Sequence, residues 1–131
     1  MPPGVVDASA LVETLLQTHR AATAGDALRD LDLYAPAHLD AELLSALFGL
    51  IRAGAIDEQR AHLAIRRLRQ LDLERVPIDA LAHDALAMRH NLSAYDALYV
   101  ALARRLRCSL VTADRRIAAA PGLGIVVSLV S

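Results

Sequence analysis

Short apolar runs alternate along the chain with longer segments in which apolar residues recur every three or four positions. A short β-branched apolar run is typical of a buried strand, and a period of about 3.6 residues is typical of a helix. The apolar runs predict strands at residues 4–6, 33–35, 74–78, 108–112 and 125–127. The periodic segments predict helices at residues 8–16, 21–30, 38–53, 57–71, 79–90, 93–106 and 114–119. This alternation predicts an α/β fold, a sandwich of helices around a mostly parallel central sheet.

Proline and glycine residues set several of the predicted boundaries. Pro36 is expected to stop the second strand, and Pro77 weakens the third because its nitrogen has no hydrogen to donate to a neighbouring strand. Gly54 is expected to close the third helix, and Pro121 and Gly122 to stop the last one.

The length of 131 residues suits one domain, which we expect to span residues 1–131. A content of 55% hydrophobic residues and a formal net charge of −1 exclude a disordered chain. No apolar run is long enough for a transmembrane helix. The first residues lack the basic and apolar regions of a secretory signal, so we expect a cytoplasmic protein. The single cysteine, Cys108, excludes an internal disulfide and a cysteine-based zinc site.

All fourteen basic residues are arginine, so mechanisms that need a lysine are excluded. The nearly balanced charge also argues against a protein that coats nucleic acid through charge alone. Two groups of arginines lie near predicted helix ends, where we expect them to complement the helix dipole and stay solvated. These groups are Arg66, Arg67 and Arg69, and Arg104, Arg105 and Arg107.

Four acidic residues occupy positions that suit metal chemistry. Asp7 directly follows the first predicted strand, and Asp114 lies two residues past the end of the fourth. Because ligands of parallel sheets bind beyond the carboxyl ends of the strands, these two carboxylates share one edge if their strands are neighbours. Glu42 and Asp96 lie within otherwise apolar helical segments. Several carboxylates brought together repel one another, and a hard cation such as Mg²⁺ compensates that repulsion.

Each acid also has a purely structural interpretation. Asp7 and Asp114 can serve as N-caps of the helices that follow them, and Glu42 can be an exposed helix acid. Ser93 and Asp96 have the spacing of a capping box. The functional hypothesis therefore depends on all four acids together.

Other side chains near these acids are expected to be structural. Tyr95 and Tyr99 flank Asp96, and packing in the core or an interface is expected for both. His38 precedes Glu42 by four residues, which could suit a metal, but we expect surface or capping roles for all five histidines.

Four segments resemble the signature segments of PIN-domain proteins, and within that group those of VapC-type toxins from bacterial or archaeal toxin–antitoxin pairs. The segments are residues 5–11 (VVDASAL), 42–47 (ELLSAL), 92–103 (LSAYDALYVALA) and 110–116 (LVTADRR). The resemblance covers essentially the whole chain, and the segments occur in the family's order. It implies a PIN-like α/β/α domain acting as a metal-dependent endoribonuclease.

The resemblance also implies particular roles for residues and partners. The acidic tetrad of the family corresponds to Asp7, Glu42, Asp96 and Asp114, which would bind Mg²⁺ or Mn²⁺. Further implied features are an RNA substrate, a cognate VapB-type antitoxin that blocks the metal site, and a homodimer. Candidates of second rank are the hydroxyls Ser9, Thr112 and Ser45, and the arginines Arg115 and Arg116 as RNA phosphate contacts.

Ser45 departs from the family pattern, because these toxins often have asparagine there. It lies on nearly the same helix face as Glu42, where a hydroxyl can still form hydrogen bonds.

Two alternatives remain. One is a catalytically inactive PIN-like binding module, although all four acids are present. The other is a phosphoacceptor signalling domain of flavodoxin-like topology, which the missing lysine disfavours.

Overall fold

The computed structural model describes residues 1–131 and contains a five-stranded sheet in which every pair of neighbouring strands is parallel. The strands are β1 (Pro3–Val6), β2 (Asp32–Pro36), β3 (Leu73–Val76), β4 (Ser109–Thr112) and β5 (Val127–Leu129). They lie in the order β3-β2-β1-β4-β5. The predicted α/β fold is confirmed, and the sheet is wholly rather than mostly parallel.

The order of the strands reverses at β1. Val5 pairs in register with Tyr34 of β2 on one side and with Leu110 of β4 on the other. Strands β2 and β3 follow β1 in one direction, whereas β4 and β5 lie on the opposite side. In sheets of this kind the crevice for a ligand opens beyond the carboxyl ends of the strands at the reversal. The topology therefore directs attention to the residues that follow β1 and β4.

Seven helices connect the strands or precede them. The helices are α1 (Ala8–Leu16), α2 (Ala21–Leu28), α3 (Leu39–Arg52), α4 (Glu58–Gln70), α5 (Ala82–Ala87), α6 (Ala94–Leu106) and α7 (Arg115–Ala119). Helix α1 packs against α2, α3, α4 and β4, while α6 packs against α5 and the three central strands. None of the seven helices combines the length and hydropathy that a membrane span requires.

The core is one cluster of 32 buried hydrophobic residues. Val5 and Val6 of β1 are fully buried, as expected for the central strand of a sheet covered on both faces. Seven successive residues of α6, numbers 97–103, are buried as well. A helix that is apolar all round lies inside the molecule. The buried part of α6 therefore gives the side chains of its first turn a rigid support.

Most predicted boundaries hold to within two residues, and Gly54 does follow α3 with a positive φ of 72°. The predicted helix over 79–90 is wrong: a 3₁₀ turn (Ile78–Leu81) precedes α5, which ends at Ala87. After Ala87 the chain continues in tighter turns, in which the amides of Met88 and Arg89 donate to carbonyls three residues back.

Three strand predictions are also shifted. Strand β2 does not end before Pro36, because Pro36 is the last residue of the strand. The strand predicted at 125–127 begins at Val127, because Gly124 adopts a positive φ of 71° just before it. The third strand begins at Leu73 and ends before Pro77, so the proline lies outside the ladder.

Candidate active site

Asp7 occupies the end of β1 and is almost fully buried, with 4% of its surface exposed. Its Oδ1 accepts hydrogen bonds from the Ala10 amide (3.0 Å) and the Ser9 hydroxyl (2.7 Å). Its Oδ2 accepts from the Thr112 hydroxyl at 2.5 Å. The N-cap interpretation is therefore correct for α1. Capping is not the only role of Asp7, because a cap needs only one backbone amide, whereas this carboxylate also accepts hydrogen bonds from two hydroxyls.

The same two hydroxyls tie the ends of β1 and β4 together. Thr112 Oγ1 accepts from the Asp114 amide at 3.0 Å, and Ser9 Oγ accepts from the Ala113 amide at 2.9 Å. A single shell of hydrogen bonds thus fixes Asp7 and the backbone of Asp114 at the point where the strand order reverses. Ser9 and Thr112, the hydroxyls of second rank in the sequence, lie inside this shell.

Burial raises the pKa of Asp7 above the ordinary value for aspartate. The hydrogen bonds from Thr112, Ser9 and Ala10 offset part of this effect, and the neighbouring Asp114 carboxylate raises the pKa further. A buried carboxylate next to a second acid is an environment that favours a cation.

Asp114 is the N-cap residue of α7, and Arg116 holds its carboxylate through three hydrogen bonds. Arg116 donates to Asp114 through its backbone amide (2.8 Å), Nε (3.3 Å) and Nη2 (3.0 Å). The guanidinium holds the pKa of Asp114 below its ordinary range. Because 87% of the Arg116 side chain is exposed, this ion pair costs little to break.

Glu42 lies in the first turn of α3 and is held by two aromatic side chains. Its Oε1 accepts from the Tyr99 hydroxyl at 2.7 Å and lies 3.3 Å from Nε2 of His38. Burial and the hydrogen bond to Glu42 raise the pKa of Tyr99, so the phenol remains a donor. The surface or capping role expected for His38 is only partly correct: it occupies the N-cap position of α3 without a side-chain capping bond, and only 8% of its side chain is exposed.

Tyr99 and His38 were not identified as site residues from the sequence. The spacing of four residues between His38 and Glu42 was the available signal, whereas nothing local connects Tyr99 to Glu42.

Asp96 is the third residue of α6 and lines a cleft of about 420 Å³ together with Glu42, Arg116, Tyr95 and Asn91. Half of the predicted capping box is present: the Asp96 amide donates to Ser93 Oγ at 3.2 Å. The cap uses the backbone of Asp96, so its carboxylate is available for another role.

The four acids belong to one connected site. Asp7 and Asp114 are joined through Thr112, Asp114 and Asp96 both interact with Arg116, and Glu42 shares the cleft with Asp96. Ser45 is exposed one helical turn beyond Glu42, and Arg115 is exposed beside Asp114. The four acids are thus linked through shared partners, and one of these partners is an exposed arginine, Arg116.

The chemistry of these donors fits a hard cation, since carboxylate and hydroxyl oxygens are preferred by Mg²⁺ and Mn²⁺. No three acidic or histidine side chains converge in ligating geometry in this arrangement. One reason is visible in the partners of Asp114, which is turned toward Arg116. Tyr99 and His38 both contact Oε1 of Glu42 and do not engage its second oxygen. Binding of an ion through several acids therefore requires Asp114 to exchange its surface partner.

Comparison with known proteins agrees with this fold. Residues 4–123 match the model of the PIN domain. The chain therefore belongs to the PIN-domain family. Within that family it groups with the VapC ribonucleases: it is 42% identical to ribonuclease VapC3 of Mycobacterium tuberculosis over 117 residues, 88% of this chain and 85% of that protein.

Solved structures show the same fold. The crystal structure of PAE2754 from Pyrobaculum aerophilum superposes with a TM-score of 0.67 at 25% identity, covering 96% of this chain and 83% of that one. VapBC2 from Rickettsia felis, solved bound to a DNA fragment from its promoter, gives a TM-score of 0.64 at 12% identity and covers 98% of both chains. The sheet order also differs from the 2-1-3-4-5 order of flavodoxin-like domains, which argues against the phosphoacceptor alternative.

Proposed function

We propose that this protein is a metal-dependent endoribonuclease that acts as the toxin of a VapBC-type toxin–antitoxin pair. The observation that carries the proposal is the connected set of Asp7, Glu42, Asp96 and Asp114 at the reversal of the strand order. The likeness to the VapC ribonucleases supports RNA as the substrate. The continuous core supports one domain over residues 1–131.

The four acids would hold Mg²⁺, or Mn²⁺, which when bound supplies positive charge to the scissile phosphate and activates water for attack. The chain's own contribution is to hold the donor oxygens in place. Ser9 and Thr112 fix both oxygens of Asp7, and Tyr99 and His38 orient Glu42. A pre-organised donor set avoids the cost of ordering these side chains during the reaction.

Arg116 has a second task in this proposal. Its guanidinium neutralises Asp114 in the free protein and lies at the surface of the cleft. If Asp114 were to hold a metal ion instead of Arg116, the guanidinium would be free to bind two oxygens of an RNA phosphate in bidentate fashion. Arg115, exposed beside it, provides a further positive charge for the RNA backbone.

The same proposal includes a VapB-type antitoxin, a homodimer and a cytoplasmic location. The likeness to the toxin of a VapBC structure supports the antitoxin. An apolar groove of about 550 Å³ beside α5, with Leu86 61% exposed and Ile78 42% exposed at its rim, supports self-association.

The proposal is tested by incubating the purified protein with cellular RNA in Mg²⁺, in Mn²⁺ and in excess EDTA. We expect cleavage in both metals, none in EDTA, and none by Asp7→Asn protein in any buffer. Glu58→Gln serves as the control, because Glu58 is an exposed acid of α4 outside the site. Undiminished cleavage in EDTA contradicts the metal mechanism, and binding of RNA without cleavage in any metal identifies an inactive binding module. The toxin role requires growth arrest when the chain is expressed alone and normal growth when its genomic neighbour is co-expressed.

A further inference from the structure

An exposed aromatic ring stands at the rim of the acidic cleft. Tyr95, the second residue of α6, is 62% exposed, whereas Tyr99 one turn later is 1% exposed. Both tyrosines are expected to pack in the core or an interface; Tyr99 does pack in the core, whereas Tyr95 does not. A large ring left this open beside Asp96 lacks a structural explanation from the protein's own core.

The ring is nevertheless held in a defined place. It stacks on the imidazole of His38, with ring centroids 5.7 Å apart and planes inclined by 22°. His38 is itself fixed, because Nε2 lies 3.2 Å from the Tyr95 carbonyl and 3.3 Å from Glu42, and its ring packs on Tyr99 at 4.8 Å. An aromatic surface that is already ordered loses little conformational freedom when it binds a ligand.

The neighbours of Tyr95 indicate the chemistry of that ligand. The cleft lined by Tyr95 is also lined by the acids Glu42 and Asp96, by Arg116 and by Asn91. A flat ring accepts a stacked nucleobase, an asparagine amide can bond to base edges, and an arginine pairs with phosphate. These three contacts together match one nucleotide of a single strand.

We propose that Tyr95, backed by His38, is the stacking platform for a base adjacent to the phosphate that the protein cleaves. The inference rests on the proposed ribonuclease function and adds a binding subsite to it. Single-stranded RNA is favoured over a protein segment because Asn91 and Arg116 line the same cleft as Tyr95 and offer partners for a base edge and a phosphate. Stacking tolerates every base, so Tyr95 contributes affinity and position, and Asn91 is the residue that can discriminate between bases.

The test uses a short single-stranded RNA that the wild-type protein cleaves, with 2-aminopurine placed at one position at a time. Stacking on an aromatic ring quenches the fluorescence of this base. We expect quenching at one position next to the cleaved bond in EDTA, its loss in Tyr95→Ala, and its retention in Tyr95→Phe and Tyr95→Trp. The affinity for RNA, measured by fluorescence anisotropy, should fall roughly tenfold in Tyr95→Ala.

A matched control and a second arm keep the inference open to contradiction. Phe48, 55% exposed on α3, does not line the cleft, so Phe48→Ala should retain both quenching and affinity. Removing the base at the quenched position should weaken binding to the wild type by the same factor as Tyr95→Ala, and should cost Tyr95→Ala nothing more. The affinity of the wild-type protein for RNA that lacks this base is measured without any protein variant. A variant that folds poorly therefore does not obscure this result.

Three outcomes overturn the inference. If Tyr95→Ala binds, quenches and cleaves like the wild type, the ribonuclease function stands and the subsite falls. If RNA binding is unchanged but the complex with the antitoxin is weakened, Tyr95 contacts a protein instead. If the wild type neither binds nor cleaves any RNA, the proposed function and the subsite fall together.

Discussion

The hydroxyl of Tyr99 donates a 2.7 Å hydrogen bond to Oε1 of Glu42, 57 residues earlier in the chain. The bond joins the buried helix α6 to the first turn of α3. Since α6 is enclosed by the core, Tyr99 cannot move independently of it, and Glu42 takes its position from a rigid element. We therefore regard Tyr99 as a residue that positions a carboxylate of the site without contacting the substrate.

Replacing Tyr99 by phenylalanine should reveal this role. Tyr99→Phe keeps the buried ring but leaves Glu42 with His38 and water as partners. We expect the free energy of unfolding to fall by about 1 kcal/mol, the net value of one hydrogen bond. We also expect the Mg²⁺ concentration for half-maximal cleavage to rise severalfold, because a freely rotating ligand must be ordered when the ion binds.

The control for this variant is Tyr34→Phe, because Tyr34 lies on β2 and does not line the cleft. Chemical denaturation and a Mg²⁺ titration of cleavage give the two readouts. A Tyr99→Phe protein with wild-type Mg²⁺ dependence would show that the hydrogen bond stabilises the fold alone.

Two neighbouring arginines of α4 should differ sharply in their effect on stability. Arg67 donates a 2.7 Å hydrogen bond to the carbonyl of Leu15, at the end of α1, whereas Arg66 is exposed and has no such contact. The general expectation that these arginines stay solvated is therefore wrong for Arg67. Arg67→Ala should lower the free energy of unfolding by about 1–2 kcal/mol, since it removes a charged donor from a helix C-terminus.

Arg66→Ala, by contrast, should change the free energy of unfolding by less than about 0.5 kcal/mol. Urea denaturation of both variants is the measurement. Because the Arg67 bond holds the C-terminal end of α1, its loss should also increase hydrogen exchange in the last turn of that helix. Equal losses of stability in the two variants would contradict the role assigned to the Arg67 bond.

The sequence was sufficient to place the four acids but not their partners. Asp7 and Asp114 follow short apolar runs, and such runs predict strands whatever the rest of the fold. The bonds from Thr112 to Asp7 and from Tyr99 to Glu42 join residues 105 and 57 positions apart, and no local pattern records them. Only the neighbouring positions of β1 and β4 in the sheet bring Thr112 to Asp7.

Local patterns also failed where the ends of elements depend on tertiary contacts. The apolar spacing over residues 79–90 is compatible with one helix, yet the chain forms a 3₁₀ turn and the short α5. The same limitation applies to Tyr95, because a tyrosine in an apolar helical segment looks the same in the sequence whether it faces the core or a cleft. The buried part of α6 begins at Ala97, and the first three residues of the helix are not buried.

The thiol of Cys108 should react slowly. Burial raises the pKa of this thiol, while a backbone hydrogen bond involving Val5 lowers it by less. Only the thiolate is nucleophilic, so alkylation by iodoacetamide at about pH 8 should be slower in the native protein than in the protein unfolded by guanidinium chloride. Glutathione under the same conditions is the reference thiol.

The pH dependence of stability at Cys108 has a definite sign. A thiol whose pKa is raised by folding contributes stability that is fully present below its unfolded pKa of about 8.5. This contribution is lost as the pH rises through the native pKa, because the unfolded state releases its proton first. Cys108→Ser should therefore show a smaller loss of stability between neutral and alkaline pH than the wild type. An identical loss in both proteins would contradict the assignment.

Asp96 provides the sharpest test of the site, because its backbone and its carboxylate have separate tasks. The amide of Asp96 completes the Ser93 cap, which Asp96→Asn leaves intact. Asp96 lines the same cleft as Glu42 and its charge also attracts Arg116, so repulsion and attraction offset each other in the metal-free protein. We expect the free energy of unfolding in EDTA to change by no more than about 0.5 kcal/mol. The stabilisation by added Mg²⁺ should shrink, because a ligand stabilises through its affinity for the native state. Cleavage should fall by orders of magnitude, since an ion held by fewer ligands no longer orients water and phosphate correctly.

Asp84→Asn is the matched control: Asp84 is likewise the third residue of its helix but pairs with Arg105 outside the cleft. Thermal melts with EDTA and with Mg²⁺, beside a cleavage assay, give all three readouts. If Asp96→Asn melts lower in EDTA, retains its Mg²⁺ shift and still cleaves RNA, Asp96 is a capping residue and not a ligand.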